Sequence, residues 1–311
     1  MLVLLSSSLK FHAKPVTELV VQSTPRFAQK ARELASELKV LEAKEIKKHL
    51  AVNDAVAKVY IQSLGKFESM TPVPACSLYD GAIYTGLAAP EMEEDDAEWA
   101  NHHIRILSGI YGLVRPFDAI QPLSLPVTLG TKLTTSKGKF LRDYWAESIA
   151  NSLDESLRKL PRPLILNCAH EEDSSVLNPS TLPEGTRITN VQFKIRDRNE
   201  AAEATGELIR WIMENRCQNF EDLLTYRGMV EEDEEAVYRI KPCNDDNTII
   251  FEEKVSDGGS GNWARRMAES GMSRKAFVRE YASGNDRYLR SEINKSLVRE
   301  RRKERSKYAV F

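Results

Sequence analysis

The sequence predicts an α+β domain built on a single mixed sheet, followed by a basic helical extension at the C-terminus. Short apolar runs, as at 2–6 and 164–166, are typical of buried strands, and they alternate with longer segments whose apolar residues recur at helical spacing, as at 139–160. A Gly-rich stretch at 257–262 then separates this domain from a polar, basic segment.

The first half of the domain is predicted to contain one clear strand and three helices. The expected elements are a strand at 2–6, helices at 27–41 and 44–67, a short strand or buried turn at 82–87, and a helix at 93–107. Acidic residues at 93–96 suit the first turn of the last helix, because they interact favourably with the helix dipole. Ser6, Ser7, Ser8 and Lys10 cluster at the end of the first strand, where loops often carry binding groups.

The second half continues the alternation after a loop region rich in proline. The expected elements are a helix at 139–160, strands at 164–166 and 187–195, a helix at 201–216, and strands at 236–240 and 248–251. Pro161 and Pro163 end the first of these helices, because proline cannot continue a helix interior. Interleaved strands and helices of this kind predict a mixed sheet.

Three parts of the chain follow from this pattern: a domain at 1–252, a linker at 253–262 and a basic helical tail at 263–311. Between residues 286 and 311 there are nine Lys or Arg against four Asp or Glu. Such a segment could bind nucleic acid or an acidic partner, or it could be a solvated helical face without a partner.

Composition places the chain among soluble globular proteins, because 41% of its residues are hydrophobic and 29% are charged. The formal net charge of −2 provides no overall attraction to nucleic acid, so any such binding must come from local patches. The N-terminal apolar run is too short for a signal peptide, and no window approaches the roughly 18 apolar residues of a membrane span. We therefore expect a cytoplasmic protein with no membrane partner.

Strong catalytic signatures are absent, since the sequence lacks a P-loop, a nucleophile elbow, a zinc-protease helix and a dinucleotide-binding glycine motif. This favours a binding protein over an enzyme. The five histidines are scattered, and neighbouring His102 and His103 point about 100° apart on a helix, so neither a metal nor a cofactor is expected. Residues 167–172 combine a thiol, an imidazole and carboxylates, which leaves a nucleophile or metal role open beside a structural one.

Gly109 and Gly112 enclose a short turn after the helix predicted at 93–107. Two such glycines can expose consecutive backbone N–H groups, a geometry that holds a phosphate. The segment is therefore compatible with a helix-hairpin-helix contact to the backbone of a nucleic acid. The other interpretation is a turn packed beneath the sheet.

Several stretches together resemble the YaaA family of peroxide stress proteins, in order and in spacing. The longest reads RILSGIYGLVRPFD, at 105–118. The others lie at 84–87, 94–96, 121–122, 138–139, 144–145, 167–169 and 214–216. The resemblance covers residues 1–252.

This resemblance implies a protein that helps cells survive hydrogen peroxide, by limiting free iron and the damage that iron does to DNA. It also implies DNA binding through a helix-hairpin-helix element, to double-stranded or branched DNA with low sequence preference. The residues that would form the nucleic-acid-binding cleft are Lys10, Arg105, Gly109, Tyr111, Gly112, Arg115 and Lys139.

The sequence departs from the family pattern at three places. The opening Ser-Pro-x-Lys-Thr motif is replaced at 6–11, Leu123 and Ser124 replace a Tyr-Arg pair, and a basic segment is replaced at 201–206. Lost cations should weaken phosphate binding, and the basic tail could supply the missing charge. The rival hypothesis is an enzyme for a small or nucleotide-like substrate, in a pocket where Tyr84, Asp118 and Asn167 converge with Lys10 and Arg115.

Overall fold

The computed structural model describes residues 1–16, 22–50, 53–125, 140–228, 237–241 and 247–253. Met1–Glu253 form one compact unit. The basic tail predicted at 263–311, and the linker predicted at 253–262 beyond its first residue, lie outside the described residues, as does Lys139.

The main sheet contains seven strands: β1 (Leu2–Ser6), β5 (Ile104–Ser108), β6 (Gly112–Val114), β8 (Leu164–Asn167), β9 (Arg187–Lys194), β10 (Tyr238–Lys241) and β11 (Thr248–Glu253). Their order across the sheet is β10-β11-β9-β8-β1-β5-β6. Two short antiparallel pairs accompany it: β2 (Lys10–Phe11) with β4 (Tyr79–Asp80), and β3 (Val73–Pro74) with β7 (Ala119–Ile120).

The α-helices of the described residues are α1 (Ala28–Leu38), α2 (Ala43–Leu50), α3 (Asp54–Gly65), α4 (Ala75–Leu78), α5 (Ala82–Leu87), α6 (Glu94–His103), α7 (Leu141–Leu157), α8 (Glu171–Ser174), α9 (Arg198–Glu214) and α10 (Phe220–Leu223). Short 3-10 helices lie at Phe67–Ser69, Ala89–Glu91 and Pro179–Thr181. Not one of the described helices combines the length and the apolar character needed to cross a membrane.

The first strand of the chain lies inside the sheet, between β8 and β5. Both β5 and β8 pair with β1 in parallel, and all five residues of β1 are buried. A parallel strand covered on both faces needs apolar residues on both, which is why this strand reads as a continuous apolar run. Because β6 and β10 are antiparallel to their neighbours at the two edges, the sheet is mixed and the α+β prediction is confirmed.

Most of the longer predicted elements are confirmed to within a few residues. They include the strands predicted at 2–6, 164–166 and 187–195 and the helices predicted at 139–160 and 201–216. The helix predicted at 44–67 is instead divided into α2 and α3.

The short strand or turn predicted at 82–87 is wrong, because these residues form α5. The helix packs against α9 through a glycine on each side. A Cβ atom on Gly86 would lie 2.1 Å from the carbonyl oxygen of Glu203, and one on Gly206 would lie 2.1 Å from that of Ile83. The backbones of the two helices are therefore in contact. This packing between segments far apart in the sequence outweighs the strand propensity of Ile83, Tyr84 and Thr85.

The helix-hairpin-helix predicted around Gly109 is also wrong. The preceding helix α6 ends at His103, and the turn joins β5 to β6, so the element is a β-hairpin. Ile104, Ile106 and Leu107 are fully buried, which favours a central strand over the end of a surface helix. Gly112 has a φ of +68°, and a Cβ there would lie 2.4 Å from the ring of Trp145. The glycine is needed for packing and for its backbone conformation.

Candidate functional site

The carboxyl ends of β1 and β8 meet where the chain changes direction through the sheet. After β1, the next strand of the sheet, β5, is added on one side, whereas β8 is added later on the other side of β1. Such a point forms a crevice at the carboxyl ends of parallel strands, and ligands commonly bind there. Ser6 ends β1 and Asn167 ends β8, so both residues lie at the place where such a crevice is expected.

Hydrogen bonds organise the groups around Ser6. Its Oγ accepts from the backbone N–H of His170 at 3.0 Å, and its carbonyl oxygen accepts from the hydroxyl of Tyr84 at 2.7 Å. Burial raises the pKa of Tyr84 well above its ordinary value, so the hydroxyl stays protonated and acts as a donor. Asn167 donates to Oδ1 of Asn190 at 2.8 Å and accepts from the N–H of Ala169 at 3.2 Å. Both predicted pocket residues, Tyr84 and Asn167, are thus fixed by protein partners.

Lys10 lies in β2, four residues after the end of β1, and it is exposed. The strand pairing places it opposite Asp80 of β4. Its backbone N–H donates to Oγ of Ser8 at 3.1 Å, and the hydroxyl of Ser8 in turn donates to the carbonyl oxygen of Asp80. The loop after β1 is therefore tied to β4 and leaves the Lys10 ammonium group in solvent.

Three arginines, Arg26, Arg105 and Arg115, form a second feature near the amino end of β5, here called the arginine group. Arg105 donates through Nη1 to the carbonyl oxygens of Asn101 at 2.9 Å and Ile104 at 2.8 Å. Burial, the charge of Arg115 and the charge of Arg26 lower the pKa of Arg105, Asp118 opposes the shift, and the resulting pKa is about 10. Arg105 is therefore still cationic at neutral pH.

Carboxylates hold the other two members of the arginine group. Arg115 contacts Asp118 with Nη2 at 2.9 Å, and Asp118, which is only 1% exposed, also accepts from the hydroxyl of Ser23 at 2.7 Å. Arg26 binds both carboxylate oxygens of Glu155, each at 2.7 Å. The side chains of Arg26 and Arg115 are nevertheless 48% and 39% exposed, so both can be reached from solvent.

Of the five residues of the predicted enzyme pocket, Lys10 is exposed, and the other four divide between these features. Tyr84 binds Ser6, and Asn167 binds Asn190 and Ala169. Arg115 and Asp118 instead bind each other beside Arg105. These side chains do not form a single hydrogen-bonded set.

The hairpin residues predicted to hold phosphate are buried, and their backbone donors are occupied. The N–H of Gly109 donates to the carbonyl oxygen of Leu125 at 2.7 Å, and that of Tyr111 donates to Oγ of Ser108 at 3.3 Å. The Tyr111 hydroxyl pairs with Gln121, and the Gly109 carbonyl oxygen accepts from Nε1 of Trp145 at 2.7 Å. The residues of this turn are therefore packed inside the protein, as expected from the other interpretation of the sequence, a buried turn.

The segment after β8 has neither a reactive thiolate nor a metal site. Burial of its thiol raises the pKa of Cys168, which keeps the sulfur protonated and weakly nucleophilic. Across the described ranges, no three His, Cys, Asp or Glu side chains are grouped as a metal ion would require. The backbone N–H of His170 donates to Oγ of Ser6, and the residue is exposed.

Two sets of residues are missed by sequence reasoning. One is Arg26, whose place in the arginine group depends on contacts with α7. The other is a set of hydroxyl-bearing residues around the carboxyl ends of β1 and β5: Ser7, Tyr79, Ser108 and Ser124. Ser7 belongs to the loop expected to carry binding groups, but the others become visible as a set only once 104–108 is known to be a strand.

Comparison with known proteins gives a consistent result. A family model described as peroxide stress protein YaaA matches residues 1–229. A UPF0246 protein of Cereibacter sphaeroides is 33% identical over 239 residues, covering 73% of this chain and 92% of the relative. A UPF0246 protein of Maricaulis maris is 31% identical over 235 residues, covering 73% and 88%, and one of Caulobacter vibrioides is 32% identical over 227 residues, covering 70% and 87%.

Proposed function

The chain belongs to the YaaA peroxide stress family, and from that premise we propose that it limits iron-dependent DNA damage by binding the backbone of nucleic acid. The expected partner is double-stranded or branched DNA, bound with low sequence preference in the cytoplasm. No cofactor is required for such binding.

The observation that carries this proposal is the arginine group. Three guanidinium groups lie close enough for Arg115 and Arg26 to lower the pKa of Arg105, and they are accompanied by two carboxylates, Asp118 and Glu155. The group therefore has a local excess of positive charge in a chain whose net charge is −2. Planar guanidinium groups bind phosphate oxygens in pairs, and such contacts position a duplex without reading its bases.

The other residues predicted for the nucleic-acid-binding cleft divide into two sets. Exposed Lys10 could extend a phosphate-binding surface, and Lys139, outside the described residues, keeps the phosphate-binding role implied by the family resemblance. Gly109, Tyr111 and Gly112 are assigned to support of the fold, because their backbone groups are already paired.

The test is a fluorescence-anisotropy titration of full-length protein with a labelled duplex and a branched DNA at several salt concentrations. The variant is the double substitution Arg26→Gln and Arg115→Gln. For every phosphate that the variant no longer neutralises, the slope of log affinity against log salt should fall in magnitude by about 0.9 on duplex DNA. We therefore expect weaker binding and a slope flatter by up to about 2.

A matched control is Arg239→Gln, because Arg239 is 61% exposed and paired with Glu252 but belongs to the edge strand β10. It should bind DNA like the wild type. Equal affinity and equal slope in the double variant and in this control would refute the assignment to the arginine group.

A second candidate function is an enzyme acting on a small or nucleotide-like substrate, and the crevice at the carboxyl ends of β1 and β8 favours it. Lys10, Tyr84 and Asn167 would line it, without Asp118 and Arg115. A panel of nucleotides incubated with the protein tests this function. Turnover that is lost in Lys10→Gln but retained in Arg115→Gln would support it.

A further inference from the structure

One ion pair of the arginine group has the form of an arginine bound to phosphate. Nη1 and Nη2 of Arg26 contact the two carboxylate oxygens of Glu155, each at 2.7 Å. Arginine binds carboxylate and phosphate through the same pair of parallel N–H donors, so the two anions compete for one position. In the free protein, the Glu155 carboxylate therefore occupies the donors of Arg26 that a nucleic-acid phosphate would use.

Glu155 can leave this position with little effect on the fold. Its side chain is 55% exposed, and among the described residues its carboxylate forms hydrogen bonds with Arg26 alone. It lies in the last turn of α7, where the helix dipole disfavours a negative charge. An exposed ion pair contributes little to stability, because water and salt screen it. Arg26 is exposed as well, so a phosphate can reach it from solvent.

Asp118, the other carboxylate beside the arginine group, is bound differently. It is 1% exposed, and it accepts from the hydroxyl of Ser23 at 2.7 Å and from the backbone N–H of Arg115 at 2.8 Å. These two bonds do not involve the Arg115 guanidinium group, so we expect Asp118 to stay in place when a phosphate binds. Of the two carboxylates, Glu155 is the one placed to exchange with phosphate.

On the premise that the arginine group binds the backbone of nucleic acid, we propose that Glu155 is an internal competitor of phosphate. It holds Arg26 in the free protein, and it leaves Arg26 when a nucleic-acid phosphate binds there. A single small anion has to displace Glu155 by its contacts with Arg26. A backbone that also contacts Arg115 raises the effective concentration of phosphate at Arg26, and so displaces Glu155 more readily. Glu155 thus selects a phosphate polymer over free small anions.

Anisotropy titrations of the full-length protein with the labelled duplex measure this competition. Glu155→Gln keeps the size of the side chain and removes its charge. It should bind duplex DNA up to about fivefold more tightly than the wild type, the factor that corresponds to an exposed ion pair. Adding Glu155→Gln to Arg26→Gln should bring no such gain, because the competitor then has no arginine to occupy.

Asp154→Asn is the matched control. Asp154 lies in the same last turn of α7 and pairs with Arg158, an exposed arginine outside the arginine group. The substitution removes the same charge from the same helix, so any gain in affinity from charge alone should be the same for both variants. Equal gains for Asp154→Asn and Glu155→Gln, or a gain from Glu155→Gln that persists without Arg26, would overturn the proposal. So would weaker binding by Glu155→Gln, which would mean that Glu155 positions Arg26 for DNA.

Inorganic pyrophosphate, tested by thermal unfolding, separates this proposal from the proposed function. If DNA binds none of the variants, yet pyrophosphate raises the melting temperature of Glu155→Gln more than that of the wild type and Asp154→Asn, Glu155 competes with phosphate and the DNA-binding function is wrong. If the wild type and Glu155→Gln bind DNA equally well, the function stands and the competitor role is wrong. Equal shifts with pyrophosphate in a protein that binds no DNA overturn both.

Discussion

At the scale of single residues, burial decides which ionisable groups can change charge. The hydroxyls of Tyr79 and Tyr84 are kept neutral, while Arg105 stays cationic despite a lowered pKa. The thiol of Cys168 is kept from ionising in the same way. These residues therefore contribute neutral hydrogen-bonding groups and one fixed positive charge.

One residue is expected to make stability depend on pH near neutrality. Burial lowers the pKa of His103, although the hydrogen bond between its Nδ1 and the carbonyl oxygen of Met1, 2.9 Å long, opposes the shift. The folded protein therefore favours the neutral ring, and the unfolded chain takes up a proton first, at about pH 6.5. The stability from neutral His103 is complete above that pH and is lost as the pH falls through the folded pKa.

Urea unfolding between pH 8 and pH 5 measures this effect. His103→Gln should show a weaker fall in stability at low pH than the wild type, whereas exposed His102→Gln should behave as the wild type does. Parallel curves for His103→Gln and the wild type would contradict the assignment.

At the scale of elements, the contact between α5 and α9 leaves no room for a side chain at either glycine. Gly86→Ala would place a methyl group 2.1 Å from the backbone of Glu203, so the helices must separate. Overpacking of this kind costs about 1–3 kcal/mol of unfolding free energy, and chemical denaturation measures it.

Gly65→Ala is the control for that substitution. Gly65 also lies in a helix, but a Cβ there meets nothing within 4 Å. The same change should therefore raise stability, by up to about 1 kcal/mol, because alanine favours a helix. Equal effects at the two positions would show that the close approach of α5 and α9 is not limiting.

These elements also show what could be read from the sequence. The strand at 2–6 is predictable because burial on both faces produces a continuous apolar run, and α7 is predictable because its apolar residues repeat along one face. The helix at 82–87 cannot be predicted from its own residues, because it depends on close packing against Gly206, far along the chain. The positions of Ser6 and Asn167 at strand ends follow from their sequence, whereas the grouping of Tyr79 with three serines depends on tertiary packing alone.

At the scale of the whole molecule, positive charge is concentrated in a few places rather than spread over the surface. The net charge is −2, yet the arginine group and residues 286–311 are basic. If the tail supplies phosphate contacts missing from the domain, a full-length variant with Arg299, Arg301, Arg302 and Arg305 changed to Gln should bind duplex DNA more weakly, with a flatter salt dependence. An unchanged salt slope in anisotropy titrations would assign the tail to another partner.

The position of β1 between β5 and β8 also governs the order in which the protein can fold during synthesis. These neighbours begin at Ile104 and Leu164, so the residues up to the end of β8 must leave the ribosome before both sides of β1 can pair. Contacts between such distant residues form slowly, and an unpaired apolar strand is prone to aggregate in the meantime. The apolar residues of β1 thus stay unpaired on one side until β8 emerges, and during that interval the newly made chain is expected to benefit from a chaperone.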